Sequence, residues 1–562
     1  MGCLWRCLAG CVNQDSLGAY LSSLATIPKL TPVPPLQGQD AGSLGWRRIA
    51  RVRRLVLCLP WIGFAWQAVL AQSSEDFICA LLAASGAFLL FFDSFRPQRF
   101  FRYPLSTLVV LGFGVTLQLG PLLFTAIEGH TITFNLLVPI ATFSHSLLAS
   151  LVCLIAHAIY RQFTWLAQLR ISVQRMLIQL RLFQPLRSAE VIAMGSVGVF
   201  ALALSTWFST LGGESTVIFK FIQGFQFFSI IPAAFLLQGL WRREAESERQ
   251  SPRKPLAIFL LFMALIVAVS VSRNARGPFI VPVSCLLIGL VLEWLYCLIR
   301  IRLSAVLAAL LAIVLFLPLA TDLATAMVMV RGLRSDIPPA ELVDQTLGLL
   351  QDREAIQRYR IATSELDLTS DWSENYVSNL FLARFANAKF PDNSLENAAQ
   401  LSAEDRHEMA AFQWWRLLAI LPGPVLSLAG VPDTTKEEVT SYSFGDKLYH
   451  LSSGSQYALG GFRTGHFFGT GMAGFGFTYL LFMLSGLLLI FTLVDAHALT
   501  AAKGSVALPI ISVVAITYFI GWFTFSNAES VTVLLAFPLR EFIEPVLLFA
   551  LARWLLSRLR FA

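Results

Sequence analysis

The most polar part of this chain contains no cysteine. All eight cysteines (Cys3, Cys7, Cys11, Cys58, Cys79, Cys153, Cys285 and Cys297) lie outside residues 322–475. That stretch therefore has neither a disulfide framework nor Cys/His metal spacing. HExxH and GxSxG patterns are absent, and no Walker-type lysine follows a glycine-rich run, which excludes a P-loop. Charge is scarce too. Asp, Glu, Lys and Arg make up 14% of 562 residues, against 56% hydrophobic residues and a mean hydropathy of +0.66. These proportions exclude an ordinary soluble globular protein. The chain reads as an all-α polytopic membrane protein.

A bilayer core takes about 20 apolar residues per helix. Twelve windows reach that scale, at about 55–72, 76–93, 104–127, 132–159, 190–210, 216–240, 256–272, 279–299, 303–321, 473–494, 506–526 and 531–556. Basic residues follow the even-numbered spans: Arg96, Arg99 and Arg102 after the second, the segment 161–187 after the fourth, 241–254 after the sixth, Arg300 and Arg302 after the eighth. The positive-inside rule then makes both termini cytoplasmic. The expected organisation is a cytoplasmic tail (1–54), nine spans (55–321), one large extracytoplasmic domain (322–472), and three further spans with a cytoplasmic C-terminus (473–562). Segment 161–187 fits an interfacial amphipathic helix.

The insert is acidic. Residues 322–475 carry 12 Lys/Arg and 19 Asp/Glu, net −7, which leaves +14 for the remainder. Topology and contact with anionic lipid head groups account for that basic balance, and no nucleic-acid partner is needed. Within the insert the signals are helical: Pro338-Pro339 opens one helix, Asp371-x-x-Glu374 resembles a capping box, and Ser402 with Asp405 opens a third. The apolar stretch 414–431 is broken by Arg416, Pro422, Gly423 and Pro424 and reads as re-entrant or interfacial. Eight glycines fall within 454–476, serving either a loop feeding a closely packed helix or a backbone cradle for sugar or phosphate.

The residues suited to chemistry are cations and a few proton carriers. Arg273 and Arg276, in the motif SRNARG (272–277), lie on a turn placed outside, against the charge bias. Arg331, Arg334, Arg384, Arg416, Arg463 and Arg540 are the other outward cations, and all but Arg416 are considered as phosphate ligands, because guanidinium groups present planar, always-charged forks. His466, His450 and Asp446 are the candidates for proton transfer. Exposed Trp372, Tyr376, Trp414, Trp415 and Tyr442 could stack on sugars. Anchoring to head groups and local ion pairing compete with a binding role at each arginine.

The layout, together with SRNARG (272–277), NLFLARF (379–385) and SFGDKLYHLSSGSQYALGGFRTGHFFG (443–469), resembles the bacterial O-antigen and exopolysaccharide repeat-unit polymerases and the related O-antigen ligases. The resemblance implies an inner-membrane glycosyltransferase that joins undecaprenyl-pyrophosphate-linked glycans outside the membrane. It implies inversion by single displacement, without metal or cofactor. Arg273, Arg276, Arg331, Arg334, Arg384, Arg463 and Arg540 would bind pyrophosphate, and His466, His450 or Asp446 would serve as the base. Partners would be the lipid-linked glycans, the bilayer, and a chain-length regulator or flippase of the same pathway. A ligase-type transferase, a transporter or flippase, and a non-catalytic secretion component remain alternatives.

Overall fold

A computed structural model describes residues 39–559 apart from 211–216, 246–252, 273–274, 276, 297–302, 331–336, 369–371, 380–381, 422, 429, 431–432, 462 and 500–509. Among the described residues, eight helices are long and apolar enough to cross a membrane: Ser74–Ser94, Pro104–Ile127, Pro139–Gln162, Ser188–Ser205, Phe221–Gln238, Arg253–Ser272, Gly277–Leu295 and Phe467–Asp495. Helices Gln39–Leu70, Leu303–Met329 and Ile543–Arg558 occupy three of the other expected windows. The protein is a helical, membrane-embedded molecule. Its largest apolar cluster among the described residues runs through most of these helices, Leu303–Met329 excepted, and takes in Leu395, Phe467 and Phe468 from the boundary of the insert.

Local chemistry explains several helix starts. Ser73 and Asp76 close a capping box on Ser74–Ser94, and Ser402 and Asp405 do the same for Ala403–Leu418. Each box satisfies N–H groups that the first turn leaves without intrahelical partners. The second is the one expected from sequence. Segment 161–187 contains the helix Thr164–Gln179, with Leu166 and Leu177 buried and Trp165 exposed. Pro339–Gln351 and Arg353–Leu368 realise the Pro338-Pro339 signal, with a break at Asp352.

Two expected helices do not form. Asp371 lies outside the described residues, and 372–379 are turn and bend rather than a capped helix. The loop after Ile127 takes over the hydrogen bonding there. Glu128 accepts from the Ser378 and Asn379 N–H groups, Asn135 donates to Ser373 Oγ and the Asn375 carbonyl, and Tyr376 donates to the Ile132 carbonyl. Window 506–526 is likewise no continuous helix. Ile510 and Ile511 pair antiparallel with Leu499 and Ala498, and the 3₁₀ segment Val514–Ile520 precedes a short turn of α-helix, Gly521–Thr524. Ser512 fixes this start by donating its N–H to the His497 carbonyl, 2.9 Å away.

The third apolar segment carries the irregularity that positions the insert. A π-turn, Val115–Leu119, interrupts the run from Pro104 to Ile127. A π-turn frees backbone groups, and such bulges recur at functional sites. Here the Thr116 carbonyl accepts from the Asn387 N–H at 3.0 Å, and Thr116 Oγ1 lies 2.7 Å from Ser526 Oγ. Just beyond, a Cβ on Gly120 would stand 1.7 Å from the Phe385 carbonyl oxygen. Glycine alone lets these backbones meet.

The glycine run of 454–476 is largely a packing device. Gly469 sits in the helix Phe467–Phe475, and a Cβ there would fall 2.0 Å from the Ser394 carbonyl carbon. Helix Lys389–Ala399 can therefore lie directly against it. Backbone cannot rotate aside as a flexible side chain can. Gly469→Ala is expected to cost about 1–3 kcal/mol through overpacking, read as a lowered Tm of the purified protein.

Candidate functional site

The end of the insert, the chain entering Phe467–Asp495 and the loop 526–530 converge on one polar cluster. Ser443 caps helix Phe444–Ser453 in a capping box with Asp446. Asp446 is fully buried; its Oδ2 accepts from the Ser443 N–H at 3.3 Å, and its Oδ1 from the Arg463 N–H at 2.9 Å. The Arg463 guanidinium approaches the same oxygen at 3.6 Å, donates to the Ala458 carbonyl at 2.9 Å and lies 4.5 Å from the Tyr449 ring. Asp446 thus holds a helix start and an arginine in place. That engagement suits an anchor better than the free base expected from sequence.

His466 is corrected more sharply. It is fully buried as the N-cap of Phe467–Phe475, with Nδ1 accepting from the Phe468 N–H at 3.2 Å. Its Nε2 lies 3.0 Å from the Ser526 carbonyl, which can only accept, so the ring is the Nε2–H tautomer. Both nitrogens are occupied, and burial pushes the pKa down to about 3. No ring atom is left to take a substrate proton. His450, half-buried one turn from Asp446, donates Nδ1–H to the Ser455 carbonyl at 2.9 Å and keeps Nε2 as an acceptor.

The group that sequence reading missed is Glu529. One carboxylate oxygen, Oε2, accepts from the Phe444 N–H at 3.1 Å, at the first turn of Phe444–Ser453. Among the described residues, no hydrogen bond engages Oε1. Burial raises the carboxyl pKa above its ordinary 4.5; the Phe444 N–H and Arg416 oppose the rise, while Asp446 and Glu374 add to it. Arg416 donates to the Val439 carbonyl and stacks at 5.5 Å on the Phe444 ring. Burial lowers its pKa, with Glu529 and Tyr442 opposing and Arg540 adding to the fall. Arg540 itself is exposed on the π-turn Pro538–Phe542. Glu374 accepts from the Thr464 N–H at 3.2 Å and closes the cluster on the side of the insert.

The expected arginines divide. Arg463 and Arg540 belong to the cluster, as does Arg416, an outward cation that was not among the expected phosphate ligands. Arg273, Arg276, Arg331 and Arg334 lie outside the described residues. Arg384 lies on the 3₁₀ turn Leu382–Phe385, but its side chain lies outside the described set. The aromatic candidates divide as well. Trp372 and Tyr376 are buried and cannot stack on a sugar, and Tyr442 stacks on Phe412. Trp414 and Trp415 are exposed, and Tyr457, unremarked in the sequence, is 96% exposed. Trp414 also meets Phe475 and Phe482 edge-on, continuing an apolar surface through Leu418, Val425 and Leu428.

No protein-family model, curated protein or solved structure matches this chain.

Proposed function

We propose that this protein is a membrane glycosyltransferase that polymerises undecaprenyl-pyrophosphate-linked oligosaccharide repeat units at the extracytoplasmic face of the bacterial inner membrane. The observation that carries the reading is Glu529: a carboxylate with a raised pKa and one oxygen unengaged among the described residues, next to Arg416 and a cluster containing Arg463 and Arg540. A general base works best with a pKa near the working pH, and burial is the usual means of raising a glutamate. In the proposed reaction Glu529 takes the proton of an acceptor hydroxyl. The freed oxygen bonds to the anomeric carbon of the donor glycan, and the bond from that carbon to pyrophosphate breaks. The departing pyrophosphate carries the electron pair, and guanidinium groups offset its charge. One displacement on one face inverts the anomeric centre. Arg416, Arg463 and Arg540 serve this role, with Arg273, Arg276, Arg331, Arg334 and Arg384 as further ligands.

In this reading the chain crosses the membrane twelve times, the eleventh crossing being the broken, protein-buried segment that ends in Val514–Ile520 and Gly521–Thr524, the insert lies outside, and both termini are cytoplasmic. Stretch 414–431 then lies at the membrane surface, in keeping with its exposed Trp414, Trp415, Val425 and Leu428. The test is the lipid-linked glycan pool of a deletion strain. Single repeat units accumulating on the lipid, with loss of long polymer, are expected. Long lipid-linked polymer lacking only its final attachment would make the protein a ligase, and an unchanged pool would overturn both readings.

A further inference from the structure

A second cationic site lies far along the chain from this cluster. Helix Gln39–Leu70 and the turn that follows Ser74–Ser94 enclose a cavity of about 620 Å³. Four guanidinium groups line it (Arg53, Arg54, Arg96 and Arg99), with Trp46 and Phe92, and among the described residues no carboxylate does. Asp93, which pairs with the lining Arg99 at 3.1 Å, is shared with Arg161 at 2.8 Å and His157 at 3.6 Å. Arg53 and Arg96 crowd one phenyl ring, 4.7 and 5.1 Å from the centre of Phe92. The Nε atoms of Arg53 and Arg99 are buried without a hydrogen-bond partner. A buried, unpaired donor on a charged group is costly, and four like charges around one cavity repel each other.

An anion held among these guanidinium groups removes the repulsion. We propose that the cavity binds the phosphate of an anionic phospholipid head group at the edge of the bilayer. Two features favour a lipid over free phosphate. The cavity sits where an apolar helix, Ser74–Ser94, ends, at the depth expected for head groups. Beside it, Leu55, Leu59 and Leu89 face outward at 72%, 37% and 38% exposure and offer a surface for acyl chains. On the charge pattern of the loops this is the cytoplasmic leaflet, which basic juxtamembrane segments commonly contact. The site serves retention and orientation of the membrane domain and does not depend on the transferase reading.

The experiment uses the full-length protein in a neutral detergent, followed by native mass spectrometry and thermal unfolding. Phosphatidylglycerol is the probe, phosphatidylcholine the zwitterionic control and inorganic phosphate the soluble arm. Phosphatidylglycerol should be retained and should raise Tm, because a ligand that binds only the folded state stabilises it. Each arginine removed should weaken retention about fivefold, as about 1 kcal/mol per basic residue implies. Arg53→Gln/Arg96→Gln should therefore lose most of it, while Arg47→Gln, exposed and outside the lining, should bind like the parent. Should the double variant fail to fold, Arg96→Gln alone is read by the same retention. Equal retention of phosphatidylcholine, or unchanged binding by the lining variants, would overturn the proposal. A Tm rise with inorganic phosphate as large as that with phosphatidylglycerol would overturn the lipid assignment.

Discussion

Glu529→Gln is expected to lower chain extension by about 10²–10⁴-fold, the usual contribution of a general base, while leaving the protein folded. Glutamine keeps the shape of the side chain, and its carbonyl can still accept from the Phe444 N–H. It cannot take a proton. Activity measured on lipid-linked repeat units in membranes carrying the variant would read the loss. In the parent protein, activity should rise with pH through the raised pKa of Glu529, since only the ionised carboxylate acts as a base.

Stability should move the other way, and this separates a working base from a structural anchor. A carboxyl whose folded pKa lies above its ordinary 4.5 is favoured in its protonated form. Its contribution to stability is therefore complete below 4.5 and is lost as pH rises through the raised value. The glutamine variant has no charge to bury. Relative to the parent it should gain Tm between that window and neutral pH, and should differ little at acid pH. A variant more stable at pH 8 yet inactive marks a site where stability is given up for chemistry. A variant that unfolds at lower temperature at every pH, with activity lost only in proportion to folded protein, would sink the assignment.

The membrane class, most of the apolar windows and the Ser402/Asp405 helix start were legible because each rests on local pattern. A capping box needs four consecutive residues, and a span needs about 20. The failures have the opposite character. Asp371-x-x-Glu374 has the residues of a cap, but Glu128, Ile132 and Asn135 supply the partners of 373–379 from about 240 positions away. Glu529 sits in a short polar gap between apolar stretches, much like Gln72–Asp76 or Glu128–His130 in composition. Its raised pKa comes from burial, with Asp446 and Glu374, both remote in sequence, adding to the rise. His466 looked like a proton carrier in a loop because sequence does not show that Ser526 and Phe468 take both ring nitrogens. A lone carboxylate between two apolar runs near the C-terminus was the one available signal, and loop composition gave no reason to prefer it.

Asp392 is the residue on which the register of this site depends, and Asp392→Ala should cost about 3–5 kcal/mol, the usual penalty for stranding one partner of a buried ion pair. Helix Pro139–Gln162 has no side-chain cap of its own at Val138. Asp392, from the insert, holds the chain just ahead of this helix, accepting from the Leu137 N–H at 2.9 Å and the Val138 N–H at 2.8 Å. The same carboxylate, fully buried, pairs with Lys389 at 3.0 Å, and Lys389 also donates to the Asn135 carbonyl. Alanine would strand the ammonium and leave the Leu137 and Val138 N–H groups, just ahead of the helix, without an acceptor. Lys389→Met combined with Asp392→Leu removes both charges and should recover part of the loss, whereas either single change should not. Thermal unfolding of the purified variants reads all three. The effect should reach the candidate site, because the segment Asp392 anchors also carries Ser394, which accepts from the His466 N–H at 2.9 Å, and Asn387, which donates to Asn527 in the loop bearing Glu529. A less stable Asp392→Ala protein that still extends glycans at the parental rate per folded molecule would separate the anchor from the chemistry.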